Sequence, residues 1–156
     1  MTPFPLPFSP TITHPLPPFL IDFAIYTIVF HFEDIHGAYT LKLLICGSRY
    51  WTDEKAIHMC VLALRKEIDT IVCGGANGAD SIAEKVAREF NIPVKVYPAN
   101  WSKYGKSAGP KRNQEMIDKE SPDEVWAFPI GESRGTYDMI NRAKSHNIPV
   151  RIFKCM

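Results

Sequence analysis

From Leu41 onward the sequence predicts a three-layer, Rossmann-like α/β fold: a five-stranded parallel sheet in the order 3-2-1-4-5 with helices on both faces. Three observations predict it. Five short β-rich runs alternate with four stretches of helical period, the pattern of a parallel sheet covered on both sides. Hydrophobic residues make up 46% of the chain and charged residues 22%, which is a globular composition and not a disordered one. Glycine-containing loops follow the first, second and fourth runs, where such folds collect their ligands. Right-handed crossovers and the commonest five-strand solution give the order.

The first run, Leu41 to Cys46, stops at Gly47. After Thr52 and Asp53, either of which can cap a helix, Ile57, Cys60, Val61 and Leu64 recur at helical spacing. The run Thr70 to Cys73 ends in Gly74 and Gly75, and Ile82, Ala83, Val86, Ala87 and Phe90 mark the second helix. The third run is Pro93 to Pro98. Pro110, at a first-turn position, opens a helix carrying Met116 and Ile117. The fourth run is Glu124 to Phe128. Gly135 and Thr136 precede a helix with Met139, Ile140 and Ala143, and Pro149 to Phe153 is the fifth run.

Residues 1–40 differ in kind and are expected to form an extension outside the domain of residues 41–156. Seven of the first eighteen residues are proline, which excludes helix and central strand there. The apolar stretch Phe19 to Phe32 is interrupted by Asp22 and His31 and is too short to span a bilayer. No basic region precedes it, so it is a poor signal peptide, and it is expected to pack on the domain or on a partner. This segment holds three acidic residues and no Lys or Arg, leaving 18 basic and 14 acidic residues in the other 116. That surplus of four suits an anionic ligand in a cleft and is too small for duplex DNA. Cys46, Cys60, Cys73 and Cys155 form no C-x-x-C pair and the five histidines are scattered, so reduced thiols, no metal, no cofactor and a cytoplasmic chain are expected.

Ligands of this fold bind beyond the carboxyl ends of the strands, where strand order reverses. Glycine lets backbone amides approach an anion, and the positive end of the following helix favours it. Gly74, Gly75 and Gly78 could form one such nest, and Gly131, Gly135 and the hydroxyl of Thr136 another. In the first loop, after Gly47 and Ser48, Arg49 could grip a phosphate with two parallel bonds. Trp51 is either a base-stacking or lid residue or a plug between the first helix and the sheet. Pro110 at the helix start is expected to put Lys111 and Arg112 on the first turn of the third helix, where the dipole disfavours cations unless an anion is bound beside them. Asn113 could read a base edge or a hydroxyl. Asp80, in the first turn of the second helix, could cap it, accept from a ribose hydroxyl or orient Arg49. Asp138 is a candidate carboxylate for glycosidic cleavage. The Walker pattern and the G-x-G-x-x-G fingerprint are both absent, which removes the evident NTPase and dehydrogenase readings.

Four segments, CGSRYW (Cys46 to Trp51), GGANGAD (Gly74 to Asp80), GPKRNQEM (Gly109 to Met116) and FPIGESRGTYDM (Phe128 to Met139), together resemble the YspA-like branch of the SLOG superfamily. The resemblance covers about residues 41 to 153. It implies a Rossmann-like domain that senses or processes nucleotide-derived ligands in bacterial or phage settings. Its relatives include the Lonely Guy phosphoribohydrolases and the DNA-processing protein DprA. By that resemblance Gly131, Gly135 and Thr136 look like a loosened phosphate-binding P-G-G-x-G-T element, interrupted by Ile130 and by Glu132 to Arg134. Arg112 and Met116 look like part of the R-K-x-x-M segment that carries a catalytic arginine, with Asn113 in place of its lysine. The catalytic glutamate of those hydrolases falls on Met139, and Asp138 is one residue away. The resemblance therefore carries the phosphate cradle across and leaves hydrolysis doubtful. The expected function is binding of a phosphate-bearing, nucleotide-derived small molecule, with no nucleic acid partner, no membrane span, and a homodimer left open. The alternatives are Lonely Guy-like hydrolysis, with Arg112 and Asp138 as its catalytic residues, and DprA-like binding of single strands.

Overall fold

The computed structural model describes residues 40–154; the Pro-rich head, the apolar stretch Phe19 to Phe32 and Cys155 lie outside the described residues. Five strands form one sheet: β1 (Leu41–Gly47), β2 (Ile68–Cys73), β3 (Val94–Val96), β4 (Glu124–Phe128) and β5 (Val150–Ile152). All pairs are parallel and the order is β3-β2-β1-β4-β5, the one expected as the commonest solution for five such strands. Four helices of 11 to 13 residues connect them: α1 (Glu54–Leu64), α2 (Ala79–Glu89), α4 (Ala108–Glu120) and α5 (Arg134–Ser145). One element is additional. A single turn, α3 (Trp101–Tyr104), runs through a 3-10 turn (Gly105–Ser107) into α4.

The pleat explains why both faces are apolar. Successive side chains of a strand point to opposite faces. Leu44, Cys46, Val72, Val125 and Ala127 meet Met116 and Ile117 of α4 and Met139, Ile140 and Ala143 of α5, all buried. The alternate residues Leu43, Ile45, Ile71 and Trp126 are fully buried toward the other layer, where α1 and α2 pack on one another. Asp53 caps α1, its carboxylate accepting from the Ala56 amide at 3.0 Å. Among the described residues no helix is long and apolar enough to cross a membrane.

β1 is the central strand, bonded to β2 on one side and β4 on the other. The chain leaves β1 toward α1 and β2, and returns later through α4 to β4. The strand order therefore reverses between β1 and β4, and a crevice opens there at the carboxyl ends.

Candidate anion-binding cleft

At that reversal lies a cleft of about 460 Å³, formed by the loops after β1, β2 and β4 with the amino-terminal halves of α4 and α5. The loop after β1 is a tight turn held by Ser48. Its carbonyl accepts from the amides of Trp51 (3.1 Å) and Ala79 (3.2 Å), and its hydroxyl accepts from the Tyr50 amide (3.2 Å). The turn leaves Arg49 and Tyr50 exposed on the cleft and sends Trp51 the other way. Trp51 is 3% exposed, its ring lies edge-on to Phe128 at 5.2 Å, and its Nε1 donates to the Asp53 carbonyl at 2.9 Å. Of the two roles the sequence allows Trp51, the geometry gives it that of the plug.

The glycines of this region do two kinds of work. A Cβ on Gly47 would stand 2.7 Å from the Phe128 carbonyl, so β1 and β4 close up only around a glycine. Gly78 has φ +78, and a Cβ there would stand 2.7 Å from the Arg49 carbonyl oxygen. Gly78 thus lets the second loop lie against the first. Gly74 makes room for the Arg112 guanidinium. Gly74, Gly75 and Gly78 do not line the cleft; from that loop Ala76 and Asp80 do.

Arg112 sits on the fifth residue of α4, past its first turn. Its Nη1 donates to the carbonyls of Gly74 and Tyr97, the latter at 3.3 Å, and stands 3.9 Å from Asp80 Oδ2. Its Nε donates to Asn113 Oδ1 at 3.0 Å. The cation near a helix start is thus answered by two carbonyls and a carboxylate, while Nη2 makes no hydrogen bond among the described residues. Asn113 is fully committed as well. Its amide donates to the Gly135 carbonyl (3.1 Å) and to Asp138 Oδ2 (2.9 Å), tying α4 to the amino-terminal half of α5.

Asp80 is 4% exposed. Its Oδ2 accepts from the Ala76 amide at 3.3 Å, and its Oδ1 is buried without a hydrogen bond. Burial pushes its carboxyl up to about 6, against the pull of Arg112 and of the Ala76, Gly74 and Gly47 amides. Asp138 does not line the cleft. Arg142 grips it with two bonds, at 2.8 and 3.2 Å, and Asn113 adds a third. Although burial works the other way, these donors hold its carboxyl below the usual range. Lys111 also stays off the cleft, its ammonium lying 5.0 Å from the centre of the Tyr104 ring.

The far wall is the start of α5. Ser133 is the residue before the helix, and its hydroxyl pairs with Thr136 Oγ1 at 2.7 Å instead of capping the backbone. The amides of Thr136 and Tyr137 turn back to the Ser133 carbonyl, and those of Arg134 and Gly135 have no acceptor among the described residues. Ser133, Arg134, Gly135 and Thr136 all line the cleft. Gly131, with φ +53, is exposed between the lining residues Ile130 and Glu132. Tyr50, Trp101 and Arg134 also line the cleft, and no spacing or capping pattern in the sequence marks them as site residues. Trp101 lies in the short α3, which carries no apolar period to announce it. Among the described residues no group of His, Cys, Asp or Glu is placed to hold a metal ion. The thiol of Cys46, on the cleft floor, is pushed far up by burial and is no nucleophile at neutral pH.

Fold and cleft together define a Rossmann-like domain with a crevice at its strand-order reversal. The family model described as YspA, cpYpsA-related SLOG (YAcAr) matches residues 41–104. The Gene 61 protein of Mycobacterium phage D29 is 37% identical over an alignment of 120 residues that covers 70% of this chain and 93% of that protein. The chain belongs to this SLOG family. Among solved structures it is similar to DNA processing protein A (DprA) from Streptococcus pneumoniae at 18% identity and a TM-score of 0.42, covering 73% of this chain and 59% of that one.

Proposed function

We propose that the cleft binds a phosphate-bearing, nucleotide-derived small molecule, and that the domain acts by sensing or processing it. One observation carries the reading: the unsatisfied amides at the start of α5 open onto the same cleft as Arg49 and Arg134, two exposed cations without a carboxylate partner among the described residues. A helix start offers aligned N–H donors and a partial positive charge, and flanking guanidiniums add charge-assisted bonds. Arg112 and Asn113 line the cleft too and brace this wall, since Asn113 holds Gly135 and Arg112 holds Asn113. The geometry speaks against Asp138 as a catalytic group: a carboxylate that cleaves a glycosidic bond must reach the ligand, and Asp138 is held by Arg142 and Asn113 off the cleft.

The test is a thermal-shift panel of nucleoside 5′-monophosphates, cyclic nucleotides and ADP-ribose against the matching nucleosides. Binding to the native state alone raises the midpoint as ligand exceeds its dissociation constant. Phosphate-bearing compounds are expected to raise it and their nucleosides to raise it less. Equal effects of nucleotide and nucleoside would remove the reading.

A further inference from the structure

The cleft has an end that the phosphate reading does not use. Tyr50 is 74% exposed and Trp101 is 55% exposed, and both line the cleft. We propose that Tyr50 and Trp101 form an aromatic clamp for the nucleobase of the ligand, so that a flat heteroaromatic ring stacks between the loop after β1 and the loop after β3. The inference rests on the phosphate reading of the α5 start and adds the class of group at the ligand's other end.

The layout follows from the sheet. The loops bearing Trp101, Ala76, Tyr50 and the α5 start leave β3, β2, β1 and β4 respectively, which is their order across the sheet. Neighbouring strands lie about 4.8 Å apart. The loops of β1 and β3 are therefore about 10 Å apart at their roots with Ala76 between them, and a stacked base with a ring on each side fills about 7 Å. The anion wall lies on the other side of β1, so phosphate and base occupy successive parts of one cleft.

Local structure presents the rings. Asn100 caps α3, its side chain accepting from the Lys103 amide at 3.0 Å, and so fixes the turn that carries Trp101. Gly109 brings no side chain against the indole: a Cβ there would stand 3.4 Å from the ring's edge. Lys103 and Lys111 of the same segment each lie 5.0 Å from the centre of the Tyr104 ring. Trp101 lines the cleft, and Lys103, Lys106 and Lys111 do not. Stacking on an aromatic face tolerates any base, because every base has a π-surface.

Trp101 also supplies the readout. The other two tryptophans, Trp51 and Trp126, are 3% and 0% exposed, so solvent-sensitive emission comes from Trp101. The experiment titrates the full chain with AMP, with ribose 5-phosphate and with inorganic phosphate, following tryptophan emission and heat. AMP is expected to quench Trp101 and to bind more tightly than ribose 5-phosphate. Tyr50→Ala and Trp101→Ala should each weaken AMP roughly 5- to 100-fold and leave ribose 5-phosphate within about twofold. Trp101→Phe should keep AMP affinity and lose the quench. Because both side chains are exposed, unchanged melting of the variants serves as the folding control. Equal affinity for AMP and ribose 5-phosphate without a change in emission would overturn the clamp and leave the phosphate reading standing. Failure of all three compounds to bind would overturn both.

Discussion

The guanidinium of Arg112 donates to the carbonyl of Gly74, joining α4 to the loop after β2 across 38 positions of sequence. That bond exists because residue 74 has no side chain, and it places a cation 3.9 Å from the buried carboxylate of Asp80. Replacing Arg112 with Ala strips the carbonyl of its donor and leaves Asp80 buried with less compensation. We expect a loss of roughly 2–4 kcal/mol in chemical denaturation. Asp80→Asn in the same chain should recover part of it, since the two residues are coupled. Strict additivity of the two changes would mean that they do not interact.

Three glycines of the site should respond differently to the same change. Gly78→Ala forces a side chain into φ +78 and against the first loop, at a cost of roughly 2–4 kcal/mol. Gly74→Ala should cost stability too, by displacing Arg112 and by standing 2.8 Å from Asp80 Oδ2. Gly135→Ala meets open space near the start of α5 and should leave stability unchanged or raise it by up to about 1 kcal/mol. Thermal melts of the three variants check the ranking, and a destabilised Gly135→Ala would contradict it.

The sheet was legible because each strand is a short apolar run closed by glycine, proline or a capping residue, and each long helix carries its own apolar stripe. What escaped was decided by turns. Tyr50 and Trp51 are neighbours of similar chemistry, and only the hydrogen bonds of Ser48 determine which one faces the cleft. The glycines after β2 read as an anion nest, whereas their lack of a Cβ serves close packing against Arg49 and Arg112. Asn113 read as a ligand contact; it lines the cleft, and nothing in the sequence signals that its side chain is also tied to Arg112, Gly135 and Asp138. No local pattern reports a bond made across 15 to 40 residues.

Acid stability should carry the mark of Asp80. Its folded-state value, raised to about 6 by burial, exceeds the unfolded value of 3.8, so the folded protein takes up this proton first. Its contribution is therefore fully present below about pH 4 and is lost as pH rises through about 6, a swing on the order of 2–3 kcal/mol. Glu120 acts the other way: burial alone would raise it, but Lys95, Tyr97 and Lys42 hold it down to about 2, so its contribution is lost as pH falls from about 4.5 toward 2. Asp80→Asn should gain stability relative to the parent at pH 7.5 more than at pH 4.5 in parallel melts. An offset independent of pH would contradict this account of Asp80.

Asp138→Asn tests whether that carboxylate does chemistry. The ion pair with Arg142 is more than a quarter exposed on both sides, so its loss should cost about 1 kcal/mol or less. Affinity for a nucleoside monophosphate should change by less than tenfold, because Asp138 lies off the cleft. Chromatography for released base, run on parent and variant, should show no release that depends on Asp138. Efficient release by the parent, abolished in the variant with binding intact, would make this protein a hydrolase.

The central claim is that the start of α5, Arg49 and Arg134 hold a phosphate, and isothermal titration of one nucleoside 5′-monophosphate and its nucleoside tests it most directly. The monophosphate should bind the parent at least tenfold more tightly than the nucleoside. Arg49→Ala and Arg134→Ala should each reduce that advantage by about tenfold, the lower end of a charge-assisted bond. A nucleoside that binds as tightly as its monophosphate, or arginine variants that bind the monophosphate unchanged, would contradict the account.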